Sequence, residues 1–388
     1  MARRAAAAAL AALIATVIFV RRRRRAAEAP QRRAKAAFLA RAGLRYGYAA
    51  SPAGHIDSWR SRELPGLVGP VGSEAIYETM VYLDYAGSAL PIASQLAALA
   101  VDGARRVLGN PHSTGPAASA ASAELDRAGA LVLARMCGSH APDWECVWTS
   151  GATAALRLVA ETFPFEEGSS LLLPESCHTS VLGMRGPAST RGARCLCAEN
   201  AAAYAPLAAD ASAGCASSTR RINHLAVAPA ECNLTGDVTD ATAVAAALAA
   251  LNGGSDGGSS RWWLMLDGAK AAASGRLDLP ASGAAFCCVS FYKLFGSPTG
   301  LGALLVRRDA LRLLRKDARR GYFGGGSVAA ALPRQVEAPA NASLNGAAGA
   351  DSGCASAGPG SSTLGPQVRS GNTPDCTEDA RSGCTHII

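Results

Sequence analysis

The chain of 388 residues lacks the cysteine spacing of a zinc site or a disulfide framework. Its twelve cysteines form no C-x-x-C pair; the closest spacings are Cys195-x-Cys197 and the adjacent Cys287 and Cys288. The adjacent pair lies in an apolar run that predicts a buried strand, where thiols behave as small apolar groups. We therefore expect a reducing compartment and no structural metal.

A basic surface patch is also missing, although the formal net charge is +8. Residues 1–35 carry ten Lys or Arg against Glu28 alone, so the rest of the chain is close to neutral. No basic stretch with interleaved aromatic residues follows. The sequence therefore gives no indication of a nucleic-acid partner.

Aromatic residues are absent after Phe323, and Ala, Gly, Ser and Pro dominate residues 329–388. Such a stretch cannot bury enough apolar area to offset the entropy lost on ordering. We predict a disordered, low-complexity tail over residues 329–388.

Residues 1–25 predict an anchor or a targeting signal. Arg4 precedes an apolar run at residues 5–20, and five arginines at 21–25 close it. The run is slightly shorter than the roughly 20 residues that span a bilayer, although flanking arginines can snorkel to the interface. A signal anchor would leave the following chain on the cytosolic side, whereas an arginine-rich transit peptide would be removed on import into an organelle. We favour the membrane anchor.

The remaining chain divides into a lead-in segment, residues 26–80, and a large domain, residues 81–328. A short helix is predicted around Ile56 to Leu64. In the large domain, apolar strand-like runs alternate with alanine-rich helical stretches, which predicts an α/β fold with a mostly parallel sheet and helices on both faces. Two stretches rich in Ala, Ser and Gly, 208–219 and 252–260, predict mobile surface loops.

One lysine stands between two apolar runs that are typical of buried parallel strands. Lys293 follows the run Phe286 to Ser290 and precedes a Gly-Ser-Pro-Thr-Gly turn. Burial at a strand end disfavours the charged form of an amine, and a neutral amine can form an imine with an aldehyde cofactor. An isolated lysine at such a place more often snorkels to solvent. Two other segments argue that this lysine is not isolated.

The first segment is a strand followed by a loop and a helix. The run Glu145 to Thr149 predicts the strand, and Ser150, Gly151, Ala152 and Thr153 lead into the helix. A loop of small residues at a helix N-terminus offers backbone N–H groups and the positive dipole end to a phosphate. Taken alone, such a loop is often only a helix cap.

The second segment is the strand predicted at Arg261 to Leu266, which ends in Asp267. A carboxylate there can keep a pyridine nitrogen protonated, so that the ring withdraws electrons from a substrate's alpha carbon. Aspartate at a strand end is also a common turn former. Lysine, phosphate loop and carboxylate together are the parts of a pyridoxal phosphate site.

Seven longer segments resemble, in the same order, the class V aminotransferase group of fold-type I pyridoxal phosphate enzymes. Within that group the resemblance is strongest to the molybdenum cofactor sulfurase family, which is related to the cysteine desulfurases. The segments are YLDYAGSAL (Tyr82 to Leu90), NPHS (Asn110 to Ser113), VWTSGATAALRLVAETFPF (Val147 to Phe165), HTSVLGMR (His178 to Arg185), PAECNLTG (Pro229 to Gly236), SFYKLFGSPTGLGALLV (Ser290 to Val306) and YFGGGSV (Tyr322 to Val328).

The resemblance implies a role for each site residue. Lys293 would hold the cofactor covalently, and His178 would stack on its ring and shuttle protons. Asn233 would donate to the phenolic oxygen, and Ser290 would bind phosphate. Lys270 replaces a glutamine that contacts the cofactor in desulfurases. The catalytic residues are thus Lys293 and His178, and the residues predicted to bind the cofactor are Ser150, Gly151, Ala152, Thr153, His178, Asn233, Asp267, Ser290, Tyr292 and Lys293.

The resemblance also implies a reaction. Sulfur would pass from L-cysteine to an enzyme cysteine and then to the molybdenum cofactor, and a homodimer is an expected assembly. Relatives continue into a small domain that carries the sulfur-accepting cysteine, which the sequence does not show; Cys354, Cys376 and Cys384 match no such loop. Two alternatives remain open. One is another class V enzyme, such as a general cysteine desulfurase or a selenocysteine lyase, and the other is a membrane-tethered, catalytically incomplete binding protein.

Overall fold

The computed structural model describes residues 16–20, scattered residues between 30 and 41, residues 54–68 and residues 82–315, except 216–217, 219, 253–258 and 276. The predicted tail at 329–388 and the YFGGGSV segment lie outside the described residues. Of the N-terminal apolar run, only residues 16–20 are described, and they are helical.

A seven-stranded sheet forms the centre of the described fold, with the strands in the order β1-β7-β6-β5-β4-β2-β3. Every strand except β7 runs in the same direction. The predicted α/β fold with a mostly parallel sheet is therefore confirmed. The strands are β1 (Trp144–Thr149), β2 (Ser170–Pro174), β3 (Arg194–Ala198), β4 (Ile222–Pro229), β5 (Ser260–Asp267), β6 (Phe286–Ser290) and β7 (Gly302–Arg307).

Helices lie on both faces of this sheet. The described helices are α1 (Gly54–Glu63), α2 (Pro65–Val68), α3 (Ala93–Arg105), α4 (Pro116–Cys137), α5 (Ala152–Thr162), α6 (Thr179–Leu182), α7 (Arg185–Thr190), α8 (Tyr204–Ala213), α9 (Ala241–Asn252), α10 (Ala271–Ser274), α11 (Leu279–Ser282) and α12 (Phe291–Phe295). Residues of α4, α8 and α9 pack in one apolar cluster, and residues of α5, α6 and α7 pack in the other. The helix predicted around Ile56 is present as α1.

The central strand β5 shows why the sequences of these strands are continuous apolar runs. Trp262 and Leu264 pack into the cluster with α8 and α9, whereas Trp263 and Met265 pack into the cluster with α5. Because helices cover both faces, neither face of the strand carries exposed polar residues. The order of strands then places the carboxyl ends of β4, β5 and β6 side by side.

The direction of β7 corrects one expectation. The two apolar runs around Lys293 were predicted as parallel strands, but β7 is antiparallel to both β6 and β1. Only residues 291–301 connect β6 to β7. A parallel pair needs a crossover of about a dozen residues or more, usually with a full helix, so this connection is too short and the chain folds back on itself.

The prediction of a mobile loop at residues 208–219 is wrong over its first half. These residues continue α8, and Ala208 and Ala211 are buried against the sheet. Alanine is the best helix former and its small side chain lets a helix pack closely, so alanine richness here indicates a packed helix. Of the other predicted loop, residues 253–258 lie outside the described residues. The first residue of that predicted loop, Asn252, is the last residue of α9, and its Oδ1 accepts a hydrogen bond from the backbone N–H of Trp262 at 2.6 Å.

A buried histidine lies near the amino end of β4, away from the carboxyl ends of the strands. His224 stacks on Trp262 with ring centroids 4.6 Å apart, and its Nε2 lies 3.9 Å from the Cys215 Sγ. Its Nδ1 has no hydrogen-bond partner among the described residues. Burial without a charged partner lowers the pKa of His224 from 6.5 to about 4.

Stability should therefore fall as the pH drops from 6.5 to 4. In that range the unfolded chain takes up a proton on His224 that the folded protein excludes, which costs up to about 3 kcal/mol of unfolding free energy. Urea denaturation across this range should show a weaker pH dependence for His224→Phe, which keeps the ring stacked on Trp262, than for the wild type. The exposed His140, replaced by Gln, is the control and should follow the wild type. Equal slopes for His224→Phe and the wild type would contradict the assignment.

Candidate active site

The carboxyl ends of β4, β5 and β6 open on a cavity of about 150 Å³. The loop between β1 and α5 and the turn before α6 close its other sides. All ten residues predicted to bind the cofactor line this cavity: Ser150, Gly151, Ala152, Thr153, His178, Asn233, Asp267, Ser290, Tyr292 and Lys293. The ten residues that were predicted from the sequence therefore lie around one cavity. The role of each residue stays a prediction.

The loop at residues 150–153 presents the N-terminus of α5 to the cavity. Gly151 is the N-cap residue with φ 131°, and it supplies no side-chain cap for the first N–H groups of the eleven-residue helix. A 2.8 Å hydrogen bond between the Thr153 Oγ1 and the Ser180 Oγ holds the side chain of Thr153 in place. The loop can therefore donate backbone N–H groups to an anion.

This loop lies directly against the backbone of β7. A Cβ built on Gly302 would lie 2.6 Å from the Cα of Gly151 and 2.6 Å from the carbonyl oxygen of Val289. No side chain fits at Gly302. The close approach fixes the loop against the end of the sheet.

Ser290 brings an unsatisfied hydroxyl to the cavity. It is the last residue of β6 and is 1% exposed, yet its Oγ has no hydrogen-bond partner among the described residues. A buried polar group without a partner is costly. Its position in the lining next to the N-terminus of α5 is suited to an anionic ligand that accepts from both.

Asp267 ends β5 at the wall of the cavity and is 9% exposed. Its Oδ1 accepts from the backbone N–H of Ala269 at 3.1 Å. The neighbouring strand is fixed to the same residue, because the N–H of Ala230 donates to the carbonyl oxygen of Asp267 at 2.9 Å. The carboxylate is thus held at a defined place on the strand end.

Two lysines line the cavity, and their surroundings differ. The Lys270 Nζ lies 2.8 Å from Oε1 of Glu231, whose Oε2 accepts from the Ser274 Oγ at 2.5 Å. Lys293, half-buried on α12, has no ion pair with any described residue. Lys293 is therefore the amine that remains available for reaction. The sequence analysis did not predict Glu231 as a site residue. The one signal in the sequence that could have indicated it is its position two residues before Asn233.

His178 and Asn233 are at the exposed side of the cavity. His178 is the N-cap residue of α6, and its Nδ1 accepts from the backbone N–H of Ser180 at 3.1 Å. That bond fixes the orientation of the imidazole ring and leaves Nε2 for another partner.

A second cavity of about 500 Å³ adjoins the first, and Lys270 and Lys293 line both. Aromatic side chains from three elements wall it: Trp59, Tyr85 and Phe295. The two cavities together form one continuous space around Lys270 and Lys293.

The edge of the α/β sheet thus combines a lysine that has no ion pair with any described residue, a carboxylate and the N-terminus of a helix, which are the groups that a pyridoxal phosphate enzyme of this fold class requires. The chain matches the family described as Aminotransferase class-V over residues 81–342. It belongs to that family.

Curated relatives with high similarity carry one name. The chain is 36% identical over 323 residues to the molybdenum cofactor sulfurase of Arabidopsis thaliana, an alignment that covers 76% of this chain and 37% of that protein. It is 34% identical over 296 residues to the human protein of the same name, with 74% of this chain and 31% of that protein covered. The chain thus spans about a third of the length of these relatives.

Solved structures of similar proteins include the cysteine desulfurase CsdA of Escherichia coli. The TM-score is 0.49 at 20% identity, and the match covers 70% of this chain and 61% of that one. The cystine C-S lyase C-DES in complex with cysteine persulfide gives a TM-score of 0.48 at 20% identity, covering 61% and 59%.

The contact between Gly302 and Gly151 can be tested by Gly302→Ala. The added methyl group should displace the loop at 150–153 and lower the free energy of unfolding by about 1–3 kcal/mol. The helical Gly186, whose Cβ position is open, is the matched control: Gly186→Ala should stabilise by about 0.5–1 kcal/mol. Urea denaturation, with amide hydrogen exchange of the loop, measures both effects. A Gly302→Ala protein as stable as the wild type would show that the backbones of Gly302 and Gly151 leave room for a side chain.

Proposed function

We propose that the chain is the pyridoxal phosphate-binding large domain of a cysteine desulfurase of the molybdenum cofactor sulfurase type. The observation that carries the proposal is the single cavity lined by all ten residues predicted for the cofactor. Membership of the class-V family and the names of the curated relatives support it.

The residues present fit pyridoxal phosphate. The phosphate would be held by the Ser290 Oγ, which has no hydrogen-bond partner among the described residues, and by the N-terminus of α5, which has no side-chain cap. Asp267 would face the ring nitrogen, and Asn233 the phenolic oxygen. When bound, the cofactor supplies an electron-withdrawing ring that stabilises negative charge at the substrate's alpha carbon.

The side chains around the cavity would then bind and move protons. Lys293 would hold the cofactor through Nζ and, as a free amine, could take up or release a proton beside the alpha carbon. His178, oriented through Nδ1, could do the same at its Nε2. Lys270 would keep its charge neutralised by Glu231, which reserves the covalent role for Lys293.

We propose L-cysteine as the substrate and the molybdenum cofactor as the final sulfur acceptor, following the names of the relatives. The described residues that line the cavity include no cysteine. Cys288 is fully buried, and this burial, together with the smaller effect of the charge of Asp267, raises the pKa of its thiol well above the usual range. The thiol is therefore a poor nucleophile. A sulfur-accepting thiol would have to come from outside this cavity.

A homodimer is part of the proposal. Helix α3 buries none of its residues. A groove of about 460 Å³ between α2 and α3 shares Leu64 and Leu90 with the second cavity, so this apolar surface continues to the mouth of the site. An exposed apolar surface of this kind is typical of a subunit interface. Leu96 lines this groove, and the other exposed apolar residues on α3 and just after it are Leu99, Val101, Val107 and Leu108.

Membrane attachment through residues 1–25, with the domain on the cytosolic side, is a further proposal. Residues 16–20 are helical, and the side chains of 17–20 are exposed and apolar. Within the described ranges, no helix has the length and apolar character needed to cross a membrane. The anchor proposal therefore depends on the sequence pattern of Arg4, the apolar run and the five arginines at 21–25.

The cofactor proposal predicts a coloured protein. The wild type, purified or supplied with pyridoxal phosphate, should show a visible absorption band from cofactor bound to Lys293, and Lys293→Ala should abolish it. Lys270→Gln is the matched control, because this lysine lines the same cavity but is paired with Glu231; it should keep the band. A wild type that stays colourless, or a band that survives in Lys293→Ala and is lost in Lys270→Gln, would overturn the assignment.

The absence of a cysteine from the described cavity lining predicts binding without sustained turnover. Mixed with L-cysteine, the chain should change the cofactor spectrum and release little alanine, because C–S cleavage requires a thiolate placed against the substrate sulfur. Such placement supplies roughly 7–11 kcal/mol of the barrier. Alanine release measured beside the spectral change tests this. Steady alanine production that stops on replacing Cys354, Cys376 or Cys384 would show that the segment after residue 315 supplies the acceptor.

A further inference from the structure

The carboxylate of Asp267 is held by a second donor besides the backbone. The Cys288 Sγ lies 3.4 Å from Oδ1 of Asp267, the same oxygen that accepts from the N–H of Ala269. The contact follows from the sheet, since Asp267 on β5 pairs directly with Cys288 on β6. Both hydrogen bonds that the described residues make to this carboxylate therefore end on Oδ1.

The direction of the contact between sulfur and oxygen is fixed by chemistry. Cys288 is fully buried, and desolvation together with the nearby charge of Asp267 raises the pKa of its thiol well above the usual range. The sulfur thus keeps its proton, and a carboxylate can only accept. The bond is S–H to Oδ1, which leaves Oδ2 for a ligand in the cavity.

We propose that Cys288 is a positioning residue, whose buried thiol holds Oδ1 of Asp267 and thereby turns Oδ2 toward the ring nitrogen of the cofactor. The part of this inference that concerns the cofactor rests on the proposed function. The hydrogen bond between Cys288 and Asp267 does not, and it can be tested in the cofactor-free protein.

The neighbouring cysteine provides a matched control. Cys287 lies on the same strand and is equally buried, but it points to the opposite face of the sheet and packs in the other apolar cluster. Its thiol contacts the backbone carbonyl of Cys288 at 3.7 Å instead of a carboxylate. Truncating Cys287 to Ala removes the same atoms as truncating Cys288 and leaves Asp267 with both donors.

The first experiment measures the S–H stretching vibration by infrared spectroscopy on the full chain without cofactor. Difference spectra between the wild type and Cys288→Ala, or Cys287→Ala, isolate the band of each thiol. We expect the Cys288 band at lower frequency than the Cys287 band, because a charged acceptor strengthens the bond. Asp267→Asn should raise the Cys288 band and leave the Cys287 band in place. A Cys288 band that ignores Asp267→Asn would overturn the proposal, whatever the cofactor does.

The second experiment measures pyridoxal phosphate affinity and the pH at which the bound cofactor's visible band changes. Cys288→Ala should weaken binding roughly three- to tenfold, in keeping with the loss of one weak donor to a charged group, and should shift the spectral transition. Cys288→Ser, which keeps a donor, should restore both, and Cys287→Ala should change neither.

Each result of the second experiment decides one claim. Equal affinity and an unshifted transition in Cys288→Ala would reduce the bond to a structural contact and overturn the positioning role. Equal losses in Cys288→Ala and Cys287→Ala would assign the effect to the cavity left behind. A wild type that binds no pyridoxal phosphate would overturn the proposed function and the positioning role with it, while the infrared result on the hydrogen bond would stand.

Discussion

The parallel register of β4, β5 and β6 is the constraint on which the rest of the site depends. Pro229 lies opposite Asp267, so β4 and β5 end at the same level, and Asp267 lies opposite Cys288, two residues before β6 ends at Ser290. A shift of one residue along β5 would turn Asp267 to the other face of the sheet. The apolar side chains behind this edge fix the register, because the successive buried apolar residues next to it on β4, β5 and β6 alternate between the two clusters. The burial of the core thus sets where the polar groups meet.

The antiparallel strand β7 adds a second constraint of a steric kind. It lies between β1 and β6, so its first residue reaches the loop that follows β1. Backbone contacts backbone at Gly302 and Gly151, without room for a side chain. Because Gly302 also pairs with Ser290, this contact brings the N-terminus of α5 close to the hydroxyl of Ser290, which no other described residue binds. A preorganised arrangement of donors costs an anionic ligand little ordering.

Chemically similar side chains in and near the cavity have different contacts. Of the two lysines in the lining, one is neutralised by the buried Glu231 and the other has no ion pair with a described residue. Of the two adjacent cysteines on β6, one touches a carboxylate and the other a carbonyl group. These differences follow from which face of the sheet and which neighbouring strand each residue meets. The described residues that line the cavity include two lysines, two carboxylates and several hydroxyl groups, but no cysteine.

Local features of the fold and of the site can be read from the amino-acid sequence alone. Apolar runs marked most of the strands, and the residues at the strand ends, Ser150 to Thr153, Asp267 and Lys293, marked the site before any contact was known. The short connection at residues 291–301 already limits β7 to an antiparallel direction. The packing of α8 at Ala208, the ion pair of Lys270 and the contact of Cys288 depend on the tertiary structure. Each of these contacts joins residues far apart in the chain, such as Lys270 and Glu231, which are 39 positions apart. Periodicity and composition report which face of an element is buried, but not which distant element covers it.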